Sequence, residues 1–448
     1  MVPSRVKEVF DRCGVTTGQT ILVALSGGAD SMTLLHVLLE MGYPCQAAHC
    51  NFHLRDQESD EDERFVLDFC MGRDVPIHVT HFDTSSEAAH RGISVEMAAR
   101  ELRYGWFSKL MEKNNLTWLA TGHHGDDMIE TFFLNLARGT GLRGLKGMRY
   151  QSGYLLRPLL SLTRRDIEAY CHENGVPFRT DSSNTDTTYQ RNNIRHNVMP
   201  VMTMLNPSFF NTMMQNFRNL DEVWQIFEKE VASVKEQMVA EEGGMMLIPV
   251  RLIRDHAQRN SILFEILRPY HFNAAVVSEI IDSLDGIPGK QFFSKTHRLV
   301  RDRFNLVLVP LEEHECGEVY IQSGEKDLNE PFPLESRVFE RDDQFRFSRD
   351  PLVVHLDADL VEYPLKLRHW QNGDQFRPLG MENFKKLSDF FVDEKLSLVE
   401  KERTWLLISG EDIVWIVGYR IDDRFKVTSS TRRILEFRVD GAAIGTGK

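Results

Sequence analysis

Hydrophobic and polar positions follow two periods along the first third of the chain. Short β-branched or apolar runs at Ile21–Ser26, Cys45–His49, Pro76–Phe82 and Thr117–Thr121 read as strands. Between them Ser31–Met41, Glu63–Cys70 and Ser94–Lys113 read as helices, and Asp126–Arg138 follows as another. Strands separated by helices pair in parallel, and right-handed crossovers place helices on both faces, so the pattern predicts an α/β domain with a doubly wound parallel sheet. On the last helix Met128, Ile129, Phe132, Phe133 and Leu136 form an apolar stripe. Asp127 and Glu130, three apart, share the opposite polar side. Asp126 reads as the helix N-cap.

After Asn206-Pro207 the pattern changes. Phe209–Val239 reads as one or two helices rich in Phe and Met, and Leu247–Pro310 mixes helix with an apolar strand at Leu306–Val309. Glu312–Asp350 is acidic and interrupted by Pro331 and Pro333, which suits a connector with short strands. From Val353 onward short β-like runs return, at Trp405–Ile408 and Ile413–Tyr419. The expected division is an α/β domain at 1–210, a mainly helical middle domain at 211–312, an acidic connector at 313–349 and a small α+β domain at 350–440.

Composition changes this picture little: 42% hydrophobic and 27% charged residues among 448 is ordinary for a globular chain. No apolar run approaches the roughly 20 residues of a membrane span, and the amphipathic N-terminus lacks the apolar centre of a signal peptide. A cytoplasmic protein with no membrane partner is expected, either monomer or homodimer. Six cysteines without a C-x-x-C pair suit free thiols in a reducing compartment. Charge changes more. The net −13 argues at first against a polyanionic partner. Residues 51–100 and 301–350 each contribute −6, however, while Arg138 to Arg165 holds seven basic side chains and no acidic one. That strip, with Arg138, Arg143, Lys146, Arg149, Arg164 and Arg165 as its candidates, predicts contact with a phosphate backbone.

The sharpest local signal is Ser26-Gly27-Gly28-Ala29-Asp30-Ser31, between a strand and a helix. Two glycines let the backbone turn tightly and approach an anion. The amides then face the helix N-terminus, where the dipole favours negative charge. Asp30 suits such a place only if it faces a metal or a reacting group. There is no G-x-x-x-x-G-K-[ST] or early G-x-G-x-x-G motif, which directs attention away from γ-phosphoryl transfer. His49 and His53 suggest a metal site, but no third ligand stands at a suitable spacing.

Ser26–Ser31 resembles the SGGxDS loop of the PP-loop ATP pyrophosphatases. Further segments narrow the resemblance to the lysidine synthases of that group: His49–Arg55, Glu96–Tyr104, Thr121–Thr131 and Arg191–His196, with Arg377–Gly380 and Lys385–Phe391 near the C-terminus. The resemblance implies a tRNA-modifying ligase with ATP and Mg²⁺ as co-substrate and cofactor. Its partners would be an isoleucine tRNA with a CAU anticodon and free L-lysine. It implies Ser26, Gly27, Gly28, Ala29, Asp30 and Ser31 as the ATP loop. It implies Asp30, Arg103, His123, Asp127, Glu130 and Arg195 as catalytic residues, and Asp30 with Asp127 as Mg²⁺ ligands. The polar stretch from Ser182-Ser183-Asn184 through Asn197, around Arg195, reads as a loop over the crevice. By the same analogy the middle and C-terminal domains contact tRNA, with Lys385 and Lys386 as exposed candidates. Three readings compete: a PP-loop tRNA thiolase, weakened by the absence of close cysteine pairs; another synthetase of the group acting on a small molecule, which needs an ammonia source; and a non-catalytic RNA adaptor, disfavoured by the intact loop.

Overall fold

The computed structural model describes residues 1–54, 57–180, 190–311 and 317–440; Arg55, Ser182–Asn184 and Cys316 lie outside them. The chain divides into two compact units, Met1–Phe227 and Glu228–Lys448.

The first unit is built on strands β1 (Ile21–Ala24), β2 (Cys45–Asn51), β3 (Ile77–His81), β4 (Trp118–Ala120), β5 (Gln151–Ser152) and β6 (Leu155–Leu156), ordered β3-β2-β1-β4-β6-β5. All neighbours pair in parallel except the β5–β6 hairpin. Helices α1 (Val2–Arg12), α2 (Ala29–Glu40), α3 (Gln57–Met71), α4 (Thr84–Arg91) and α5 (Val95–Lys113) precede β4. Helices α6 (Gly125–Ala137), α7 (Leu142–Leu145), α8 (Arg164–Glu173), α9 (Gln190–Asn193), α10 (Met199–Leu205) and α11 (Phe209–Met238) follow it, α11 running on past Phe227 into the second unit. Alternate residues of β1 serve opposite faces. Ile21 and Val23 join one core with Phe10, Leu34, Leu38 and Ile167, while Leu22 joins the other with Phe107, Leu110 and Leu119. The doubly wound sheet is therefore observed. The strand order reverses between β1 and β4, which opens the crevice where such sheets bind ligands.

On α6, Met128, Ile129, Phe132 and Phe133 pack against Phe209, Met213 and Phe217 of α11. Leu136 falls off the stripe and is 51% exposed. The N-cap of α6 is His124 rather than Asp126. Asp126 instead accepts the backbone N–H of Arg164 at 2.7 Å.

In the second unit the helices Val250–Asp255, Arg259–Leu267 and Ala274–Asp282 cover a five-stranded antiparallel sheet. Its order is Ala240–Glu242, Met245–Pro249, Asn305–Pro310, His297–Arg301, Gln291–Phe293. Sequence pattern revealed only the Asn305–Pro310 strand, because the others are short and interrupted by turns. The acidic segment supplies strands Val319–Ile321, Asp327–Leu328 and Leu334–Glu340 to two further antiparallel sheets, and Phe332 and Leu334 enter their common core. Its described part is thus integral to the C-terminal fold, since long-range pairing with Arg433–Val439 orders it.

Candidate active site

The loop after β1 is shaped by its own serines. Ser31 Oγ accepts from the Ser26 amide at 3.1 Å and donates to the Gly28 carbonyl at 3.1 Å, and the two hydroxyls lie 3.2 Å apart. Gly27 sits at φ +88°, where a side chain is strained. Its carbonyl accepts from the Arg179 amide at 2.9 Å. His49 is buried and its Nδ1 lies 2.8 Å from the Leu25 carbonyl, so it braces the end of β1 rather than facing a metal. Burial lowers its pKa. A Cβ on Gly122, just beyond β4, would meet the Asp30 carbonyl carbon and the Ser31 amide at 2.9 Å. Glycine there lets the β4–α6 turn lie directly on the first turn of α2.

That contact brings two acidic groups together. Asp30 Oδ2 accepts from Arg164 Nη1 at 2.8 Å, while its Oδ1 is buried with no hydrogen-bond partner. Buried His124 stands between carboxylates, its Nε2 3.7 Å from Asp30 Oδ1 and 3.5 Å from Asp127 Oδ2. Asp127 Oδ2 also accepts the His124 backbone N–H at 3.1 Å, closing the helix cap. One turn on, Glu130 is 1% exposed and grips Arg195 with bonds of 2.7 and 3.1 Å. Arg191 Nε is 3.1 Å from the same carboxylate, and Arg191 Nη2 donates to Thr131 Oγ1 at 2.9 Å. Arg195 Nη2 also reaches within 3.8 Å of Asp127 Oδ1. It lies on a π turn, Ile194–Val198.

Environment separates the three carboxylates. Burial pushes Asp30 up, and neighbouring His124 and Arg164 offset it only in part. Burial likewise raises Glu130 against the pull of Arg195. At Asp127 burial is outweighed by His124, Arg191 and the cap hydrogen bond, so its carboxyl lies below the ordinary range. His123, whose Nδ1 is 2.9 Å from Thr121 Oγ1, is pushed down to about 4 by burial and is neutral near pH 7. Carboxylates driven apart in this way mark a site where protons and charge are handled.

Comparison with known proteins decides which site this is. The PP-loop domain model matches residues 2–202, the TilS substrate binding domain residues 241–311 and the TilS substrate C-terminal domain residues 365–438. The tRNA(Ile)-lysidine synthase of Parabacteroides distasonis is 43% identical over 421 residues, 93% of this chain and 94% of its own. That of Bacteroides thetaiotaomicron is 42% identical over 419 residues, 94% and 95% of the two chains. The chain belongs to the tRNA(Ile)-lysidine synthase family. It is accordingly an ATP-using ligase of the PP-loop class, and the thiolase alternative is not favoured.

Within this lysidine synthase framework the other expected residues scatter. Arg103 lies over the Phe52 ring at 5.0 Å, beyond the end of β2, and the structure shows no contact between it and the Asp127–Glu130–Arg195 cluster. Arg164, expected on the basic strip, is held at the loop by Asp30 and by Glu168 at 2.7 Å. Lys146, its side chain 14% exposed, sits over Trp224 at 4.8 Å and near Asp221 at 3.9 Å; Arg143 lies over the same ring at 5.5 Å. Arg149 bonds Asp221 at 3.3 Å. These three tie the strip to α11. Arg138 reaches Gln190 at 3.3 Å, and Arg165 is exposed. Lys385 pairs with Asp393, and Lys386 is exposed beside it. Sequence reasoning missed His124, Arg191 and Arg157 as site neighbours. The paired histidines after β4 and the two arginines of Arg191–Arg195 were the available signals.

Proposed function

We propose that the chain joins the ε-amine of lysine to C2 of the wobble cytidine of a CAU-anticodon tRNA(Ile), converting ATP to AMP and pyrophosphate. The observation that carries this reading is the seating of the Asp127–Glu130–Arg195 cluster against the phosphate loop through Gly122. Family membership supplies the substrate class.

The loop amides of Gly27 to Ser31 hold the phosphates at the α2 N-terminus. The cytidine O2 attacks the α-phosphorus and pyrophosphate leaves. Arg164, fixed by Asp30, and Arg195, fixed by Glu130, supply positive charge for that step; Arg103 joins them only if substrate draws it inward. The lysine nitrogen then attacks C2, the C2–O2 bond breaks and AMP leaves carrying the former O2, while the nitrogen releases its second proton, the first having been taken from the ammonium before attack. Asp127, ionised at neutral pH, holds the ammonium and accepts that proton, supported by Glu130 and neutral His123.

Mg²⁺ fits Asp30, whose buried Oδ1 lacks a partner, together with Asp127. No trio of metal-binding side chains occurs among the described residues. One or two carboxylates plus phosphate oxygens is the ordinary Mg²⁺ environment. When bound, the ion neutralises triphosphate charge. We place tRNA contact on exposed Arg138 and Arg165, with Lys386 contributing from the C-terminal domain. No helix of the described residues is long and apolar enough to cross a membrane, which supports a cytoplasmic setting.

The test is incubation with ATP, labelled lysine and a CAU-anticodon tRNA(Ile) transcript. Label entering tRNA, with one AMP and one pyrophosphate per lysine, is expected. ATP-dependent modification without lysine would overturn the reading.

A further inference from the structure

Arg157 is a half-buried cation with no carboxylate partner among the described residues. It follows β6 directly, and its Nη1 donates to the Arg149 carbonyl at 3.1 Å. Its Nε is buried and has no hydrogen-bond partner. Among the described residues no carboxylate lies within ion-pair distance of it. Burial lowers its pKa, Tyr104 offsets this in part, and Arg100 adds to it. Arg100 rests over Tyr104 at 5.0 Å, on the helix covering this edge. A guanidinium carries five N–H donors and does not deprotonate in proteins. Leaving the Arg157 Nε buried and unpaired costs stability, a cost that an anion bound there would offset.

The strand register places Arg157 at the reaction crevice. Ala120 pairs with Leu156, and the Thr121 amide donates to the Leu156 carbonyl at 3.0 Å. Thr121 Oγ1 in turn holds His123 Nδ1 at 2.9 Å. Adjacent strands lie about 4.8 Å apart, and the register continued by one residue sets Arg157 beside Thr121, two residues before His123. Asp127 stands on the next turn. His123 feels the charge of both Arg157 and Asp127, so a cation and a carboxylate lie near it, a complement to a ligand with a carboxylate at one end and an ammonium at the other.

We propose that Arg157, assisted by Arg100, binds the α-carboxylate of the amino-acid substrate while Asp127 receives its ε-ammonium. This rests on the lysine reading above. It makes Arg157 a specificity residue, since the carboxylate is what distinguishes lysine from a plain diamine. Charge-assisted, bidentate contacts of this kind are among the stronger hydrogen bonds.

The test compares L-lysine with 1,5-diaminopentane, which lacks the carboxylate, in wild type, Arg157→Gln and Arg157→Lys, with tRNA and ATP saturating. For lysine, Arg157→Gln is expected to raise KM by about 10- to 100-fold, with the KM for tRNA unchanged and partial recovery in Arg157→Lys. For the diamine, the variant and wild type should be nearly equal. Equal losses for both amines, or a raised tRNA KM with unaltered lysine preference, would overturn the proposal and point to a phosphate contact or a folding role. If wild type attaches neither amine, the lysine reading itself fails; if it attaches lysine and the losses are equal, only the Arg157 assignment fails.

Discussion

Replacing Arg195 by alanine strands a buried carboxylate. Glu130 is 1% exposed and would lose bonds of 2.7 and 3.1 Å, keeping only the Arg191 ion pair at 3.1 Å. Breaking a buried pair by removing one partner costs about 3–5 kcal/mol, and the remaining arginine places this case near the lower end. Protonation limits the loss, because each unit of pKa shift corresponds to about 1.4 kcal/mol. Burial already holds the Glu130 carboxyl above its ordinary value, and removing Arg195 drives it higher. The folded variant then keeps a proton that the unfolded chain releases. Its stability is therefore greatest below the ordinary glutamate range, near pH 4.3, and falls as pH rises through the new folded value. We expect a local loss of about 3 kcal/mol at pH 8 and about 1 kcal/mol at pH 5. Hydrogen exchange of the α6 amides, corrected for intrinsic rates, reads this without assuming two-state unfolding of the whole chain. Adding Glu130→Gln should restore most of the loss at pH 8. An equal loss at both pH values, or no restoration, would refute the charge-burial argument.

Gly122→Ala should raise the KM for ATP at least about tenfold, because backbone at 2.9 Å cannot yield, whereas Gly105→Ala, with open space around its Cβ, should not; pyrophosphate release at varied ATP checks both. His123, at about 4 in the folded chain against 6.5 ordinarily, binds its proton first in the unfolded state. Stability should thus fall as pH drops from about 6.5 toward 4, and His123→Gln should flatten that limb in thermal melts across pH. Arg165→Ala should reduce the salt slope of tRNA binding by about one and leave ATP binding unchanged. Lys146→Ala, which loosens the Trp224 contact, should lower the melting temperature without altering that slope.

The phosphate loop, the strand–helix alternation and the Asp127–Glu130 pair were legible because each is a local pattern. A glycine pair ending an apolar run, or two carboxylates one turn apart, expresses its consequence within a few residues. The Mg²⁺ and lysine roles rest on family likeness and on geometry rather than on spacing. The acidic segment at 313–349 showed short strands in its pattern but not their partners, because Val319–Ile321 pairs with Leu365–Leu367 and Leu334–Glu340 with Arg433–Val439, the latter across the 99-residue gap between Arg337 and Glu436.

Sequence alone, then, determined the sheet, the loop and the acid-bearing face of α6, all set by periodicity and turn chemistry. Tertiary structure decided which charges meet. Arg164 and Asp30 are 134 positions apart, and Arg195 and Glu130 65 apart, yet they share a site because the strand order reverses between β1 and β4. The same folding turned Lys146 onto Trp224 and left the Arg157 Nε buried with no hydrogen-bond partner. A basic residue reads alike in sequence whether it faces phosphate, braces a helix or waits for a substrate; burial and the neighbouring strand distinguish them.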